Sequence, residues 1–157
     1  MHLPQLTQVS LVIPDGELSP AHLAVLQQIG TLRIMDLNLF EWTSEHLSSF
    51  CRPPHRLQQL QKLHLWGIEV GAAQMAELVH LPGLIHLYSK CLLADAYSLL
   101  PRLPLLQHLQ VCLAQFDSPY ASDGQRVAMD AALRACPSLT AIRVTSHCDR
   151  CGAQMRP

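Results

Sequence analysis

No single sign of charge dominates this chain of 157 residues. It has 11 basic and 12 acidic residues, for a formal net charge of −1. Nucleic acid and anionic membranes both call for a concentrated basic surface, so neither is expected as the main partner. The amino-terminal stretch MHLPQLTQVSLVIPDGE lacks the basic segment of a secretory signal, and Asp15 and Glu17 interrupt its apolar run early. No uncharged apolar stretch reaches the length of a transmembrane helix. Catalytic signatures are missing too: there is no GxSxG, no phosphate-cradling glycine loop and no HExxH, so an enzyme is not expected. Charged residues are scarce, at 15%, whereas 49% are hydrophobic, which excludes general disorder and predicts one domain with a substantial core.

Six cysteines, Cys51, Cys91, Cys112, Cys136, Cys148 and Cys151, are scattered, and four of them lie in or beside apolar runs. Without a secretion signal they read as reduced thiols of a cytoplasmic or nuclear protein.

What the chain does contain is a recurrence. Apolar residues at offsets 0, 3, 6 and 8 occur at Leu3-Leu6-Val9-Leu11, Ile29-Leu32-Met35-Leu37 and Leu57-Leu60-Leu63-Leu65. The pattern returns at Leu81-Leu84-Leu87-Ser89, Leu103-Leu106-Leu109-Val111 and Cys136-Leu139-Ile142-Val144, and only Ser89 departs from it. Chance in a leucine-rich chain supplies one or two such matches, hardly six in series. Successive starts lie from 22 residues apart (Leu81 to Leu103) to 33 (Leu103 to Cys136).

Helix signals fill the intervals. Ser19-Pro20 reads as an N-cap followed by proline at the first helical position. Thr43 or Ser44 can cap SEHLSSF, and residues 72–80, 94–100 and 123–136 carry helical apolar spacing. Prolines 53, 54, 82, 101, 104 and 137 punctuate the joins. Each unit is therefore expected to be a short strand followed by a helix.

Segments such as LPQLTQVSL, LQQLQKLHL, LPLLQHLQV and CPSLTAIRV resemble leucine-rich repeats. The resemblance implies an α/β solenoid of about six units, right-handed, with a parallel concave sheet and helices on the convex side. It assigns residues 1–147 to the repeat domain and 148–157 to a tail. The unit length is similar to that of the long intracellular repeats of ribonuclease inhibitor and F-box substrate receptors. One departure is the polar residue that the family places three positions after the second strand leucine: here stand Pro14, Phe40, Ile68, Leu92, Ala114 and His147.

Strand alternation sends offsets 5, 7 and 9 out of the sheet, away from the core. Offset 5 reads Gln8, Ile34, Lys62, His86, His108 and Ala141 across the strands. Offset 7 reads Ser10, Asp36, His64, Tyr88, Gln110 and Arg143, and offset 9 reads Val12, Asn38, Trp66, Lys90, Cys112 and Thr145. Asp36, Lys62, His64, Trp66, His86, Tyr88, Lys90 and His108 thus form the expected binding face. Exposed aromatics among charges suit a protein-binding hot spot, so a protein partner is expected. The competing expectation folds Trp66 onto a neighbouring loop.

Two metal readings carry less. His64, His86 and His108 lie near one another, but no carboxylate on their own strands is in position to orient a ring. Cys148 and Cys151 have the spacing of a zinc knuckle with Gly152 behind them, yet no second CxxC supplies the remaining ligands. No cofactor is implied. The resemblance raises one narrower alternative, the substrate-recognition part of an F-box-type ubiquitin ligase receptor. A chain that begins inside its first repeat is also expected to self-associate through uncapped ends.

Overall fold

The structure is a computed structural model, and it describes residues 6–13, 20–39, 43–52, 56–112 and 123–145. Six strands form one open parallel sheet in chain order: β1 (Gln8–Ile13), β2 (Ile34–Leu39), β3 (Lys62–Val70), β4 (His86–Leu92), β5 (His108–Cys112) and β6 (Ala141–Thr145). Between them lie α1 (Pro20–Gln27), α2 (Ser44–Cys51), α3 (Ala72–Leu78), a 3₁₀ helix over Ala94–Arg102, and α4 (Asp123–Ala135). Each helical element packs on the next in chain order, so a row of helices accompanies the row of strands. Among the described residues no helix is long and apolar enough to cross a membrane.

The step of three in the sequence has a local cause. In five units the N–H at offset 3 donates to the carbonyl at offset 0: Leu32 to Ile29, Leu60 to Leu57, Leu84 to Leu81, Leu106 to Leu103 and Leu139 to Cys136, at 3.0 to 3.1 Å. Such a turn brings side chains three apart onto one side, and the strand then alternates with a step of two. Leu57, Leu60, Leu63 and Leu65 are consequently all buried.

A second repeated device joins the units. Thr7, Arg33, Gln61, Ile85 and Gln107 each present one carbonyl that accepts two consecutive N–H groups of the next unit, as Gln61 does from Ile85 and His86 at 2.8 Å. These bonds set strand register before the ladder begins.

The core is a single apolar cluster running the length of the sheet, with Leu63, Leu65, Leu87, Leu109 and Val111 facing Leu47, Phe50, Met75, Leu78, Ala96 and Leu100. Ile68 and Leu92, two positions where the resemblance predicted a polar side chain, are buried apolar members of it. Ser89 is buried as well, and its hydroxyl donates to the Cys91 carbonyl at 2.8 Å, so the one polar strand position is satisfied. Buried Gln27 ties α1 to α2 by donating through Nε2 to the Phe50 carbonyl at 2.9 Å. This satisfies a carbonyl in the last helical turn.

The N-cap of α2 is Thr43, whose side chain accepts from the His46 N–H while His46 Nδ1 accepts from the Thr43 N–H. On the surface Arg52 Nε donates to Glu77 at 2.9 Å, linking α2 to α3. That bond holds the Glu77 carboxyl below its usual range.

The segment expected to be helical over 94–100 is a 3₁₀ helix, with Pro101 inside it. Proline offers no N–H to a preceding turn. The interval from Leu81 to Leu103 is also the shortest, at 22 residues. A 3₁₀ helix rises about 2.0 Å per residue against about 1.5 Å in an α-helix, so its nine residues extend further than the seven of α3.

Candidate functional site

The open face of the sheet assembles as the outward columns predict, with one break. Lys62, His86, His108 and Ala141 are successive register partners, as are Asp36, His64, Tyr88, Gln110 and Arg143. In the third column Trp66 pairs with Asn38 on β2, but the register between β3 and β4 shifts between Leu65 and Glu69. Three residues of β3, Trp66-Gly67-Ile68, therefore stand opposite Lys90 alone. Leu63 and Leu65 point inward before this bulge, and Ile68 and Val70 after it, so the bulge switches the phase of the strand. Lys90 is accordingly not the register neighbour of Trp66, contrary to the simple column count.

Trp66 and Tyr88 also differ from expectation in exposure. Each retains only 8% of its surface, although both belong to the sheet face. Among the described residues the indole packs within the sheet face itself. Its Nε1 donates to Asp36 Oδ1 at 2.9 Å, and its ring lies 4.2 Å from that of Tyr88, tilted by 37°. His64 adds an edge to the group, with its ring centroid 5.6 Å from Tyr88 and its Nδ1 3.8 Å from Asp36 Oδ2. A carboxylate accepting from an indole and an aromatic pair at this spacing are both favourable, so the cluster is held in one arrangement.

Beside it, β3 to β6 border a hollow of about 280 Å³. Lys62, His64, His86, Tyr88, His108, Gln110 and Arg143 line it. The His86 and His108 rings stack with centroids 4.4 Å apart and planes within 4°. Burial lowers the pKa of His86 from its usual value, and the charges of His108, Lys62 and His64 lower it further.

Among the described residues no group of three or more His, Cys, Asp or Glu is placed to hold a metal. Stacked face to face, His86 and His108 do not converge their nitrogens on one point as ligands would. Cys148 and Cys151 lie outside the described residues. Cys51 and Cys136 are buried free thiols, each pushed up by burial, with the Glu77 charge adding to the effect at Cys51. Such thiols are poor nucleophiles.

The eight expected face residues thus divide. Asp36, His64, Trp66 and Tyr88 form the aromatic cluster, Lys62, His86 and His108 border the hollow with His64 and Tyr88, and Lys90 stands opposite the bulge. Sequence reasoning placed Gln110 and Arg143 in the outward columns without adding them to the binding set. Their membership of the Tyr88 column on the two following strands was the available signal.

Comparison of the chain with protein-family models, curated proteins and solved structures finds no match.

Proposed function

We propose that this chain is a non-catalytic protein-interaction module of the leucine-rich-repeat kind. In this reading its units stack as a curved solenoid, and the open sheet face lies inside the curve and grips a protein partner. The observation that carries the binding role is the hollow that Lys62, His64, His86, His108, Gln110 and Arg143 line on the sheet face, with the ordered Asp36–Trp66–Tyr88 cluster beside it. An aromatic group already ordered before binding loses little side-chain freedom on contact, which favours affinity. Support for the repeat architecture comes from the same turn and the same shared carbonyl recurring at five successive junctions.

Site-directed photo-crosslinking tests the reading. A benzophenone side chain placed at His64, on the sheet face, is compared with one at Val25, a 64% exposed position on α1. We expect one protein from cell extract to be trapped from position 64 and not from position 25. That protein, once purified, should bind the Trp66→Ala chain at least about tenfold more weakly, with native circular dichroism as the control for folding. Trapping of the same protein from Val25 alone would move the interface to the helical side and overturn the assignment.

A further inference from the structure

We propose that the hollow bordered by β3 to β6 receives an acidic side chain of the partner, and that it holds this carboxylate more tightly when His86 is protonated. The inference rests on the reading that the sheet face engages a protein, and it specifies the chemistry of the segment engaged.

The lining has one electrostatic sense. Lys62 stands at one flank on β3 and Arg143 at the other on β6, with His86 and His108 side by side between them. None of the described residues lining the hollow is acidic. The nearby carboxylate, Asp36, sits beyond His64 and accepts from the Trp66 indole. From β3 to β6 is three strand spacings, about 14 Å, which suits a side chain entering from an extended segment laid across the strands. Lys62 and Arg143 would offer charge-assisted hydrogen bonds to a carboxylate placed there.

His86 couples this site to pH. The groups facing it are Lys62 and His64 from β3, Tyr88 on its own strand, His108 and Gln110 from β5, and Arg143 across the hollow. Burial and the neighbouring cations disfavour its charged form. An anion seated among them reverses the electrostatic part, so binding draws a proton onto His86. By linkage the bound complex is then favoured as pH falls through the histidine range.

The test uses the purified chain with a capped hexaglutamate peptide as probe and capped hexaglutamine as control, read by fluorescence anisotropy. We expect hexaglutamate to bind at about pH 6 and about tenfold more weakly at about pH 8, with hexaglutamine not binding. The Lys62→Gln, Arg143→Gln double variant should abolish binding. The His86→Gln variant should retain binding at about pH 8 and change clearly less than the parent across the range, with His64 and His108 still lining the hollow. All three substitutions are on the sheet face, and circular dichroism verifies the fold.

Equal binding of the two peptides, or binding that survives the double variant, would overturn the proposal. So would displacement of hexaglutamate by inorganic phosphate at lower concentration than by glutarate, because the site would then select phosphate. An unchanged pH dependence in His86→Gln would overturn the role of that residue. Failure of hexaglutamate while crosslinking from position 64 persists removes the acidic occupant and leaves the protein-binding reading intact. Loss of the crosslink with hexaglutamate binding preserved does the reverse.

Discussion

Trp66 shows how a residue on the outer face of a sheet becomes structural. Its side chain is nearly removed from solvent while standing outside the main apolar cluster, and Asp36 and Tyr88 are two of the groups that hold it. Trp66→Phe keeps most of the ring contact and loses the hydrogen bond to a charged acceptor, which is worth about 1.5–3 kcal/mol. Trp66→Ala loses the ring as well and should cost about 3 kcal/mol or more in urea unfolding. Equal, small costs for both would show that the cluster does not support the fold. His86 gives a second prediction. Its folded-state pKa lies below the unfolded value of about 6.5, so the unfolded chain binds more protons in between. The stability difference between the parent and His86→Gln should be constant above that value. As pH falls through it the parent should lose ground, levelling off below the folded pKa. The opposite slope, parent gaining as pH falls, would mean that the imidazole has found an acidic partner in the free protein. Both residues were readable as outward-facing, because alternation depends only on local backbone. The partners of Trp66 were not, because Asp36 and Tyr88 lie 30 and 22 residues away from it in the chain, on other strands, whereas His108 was already placed beside His86 by the columns.

At the scale of elements the recurring turn at offsets 0 to 3 decides where each strand begins. Gly83 occupies that turn between α3 and β4, and a Cβ there would come within 2.6 Å of the Gln58 carbonyl oxygen of the preceding unit. Backbone on both sides leaves no flexible atom to move aside. Gly83→Ala should therefore destabilise by about 1–3 kcal/mol, seen as a lower urea midpoint with unchanged slope. Gly30 is the contrast, since its Cβ would meet Arg56 at an ordinary 3.4 Å, and Gly30→Ala should be near neutral. The helical spacing at 94–100 was legible, but the kind of helix was not. Apolar periodicity marks which face is buried, and it does not distinguish an α-helix from the more extended 3₁₀ form that this segment takes with Pro101 inside it. The bulge in β3 was half legible: the inward set changes from Leu63 and Leu65 to Ile68 and Val70, so one phase cannot serve the whole strand.

Among the described residues the principal contacts join strand to strand and helix to helix of consecutive units, so stability is passed from unit to unit rather than concentrated at one distant junction. Burial is deepest in the middle: Leu63, Leu65 and Leu87 on β3 and β4 are almost fully enclosed, whereas Val9, Leu11 and Ile142 on the outer strands are partly exposed. Native-state hydrogen exchange should show the slowest amides in β3 and β4, with protection falling toward β1 and β6. Leu63→Ala should cost about 2–5 kcal/mol and Val9→Ala clearly less. Uniform protection over all six strands would contradict the gradient.

The sequence by itself determined the order of the strands, the inward and outward sets up to the β3 bulge, and the two columns that run unbroken from β3 to β6. Those follow from turn geometry and from the alternation of a pleated backbone, both of which act within a few residues. Only the tertiary structure decided that Asp36 anchors Trp66, that Tyr88 packs against the indole, that His86 stacks on His108, and that Lys90 is not the register partner of Trp66. Those outcomes depend on how far the β3 bulge shifts one strand against the next and on which rotamers fill the space between columns. Contacts between strands set both, and no local pattern records them.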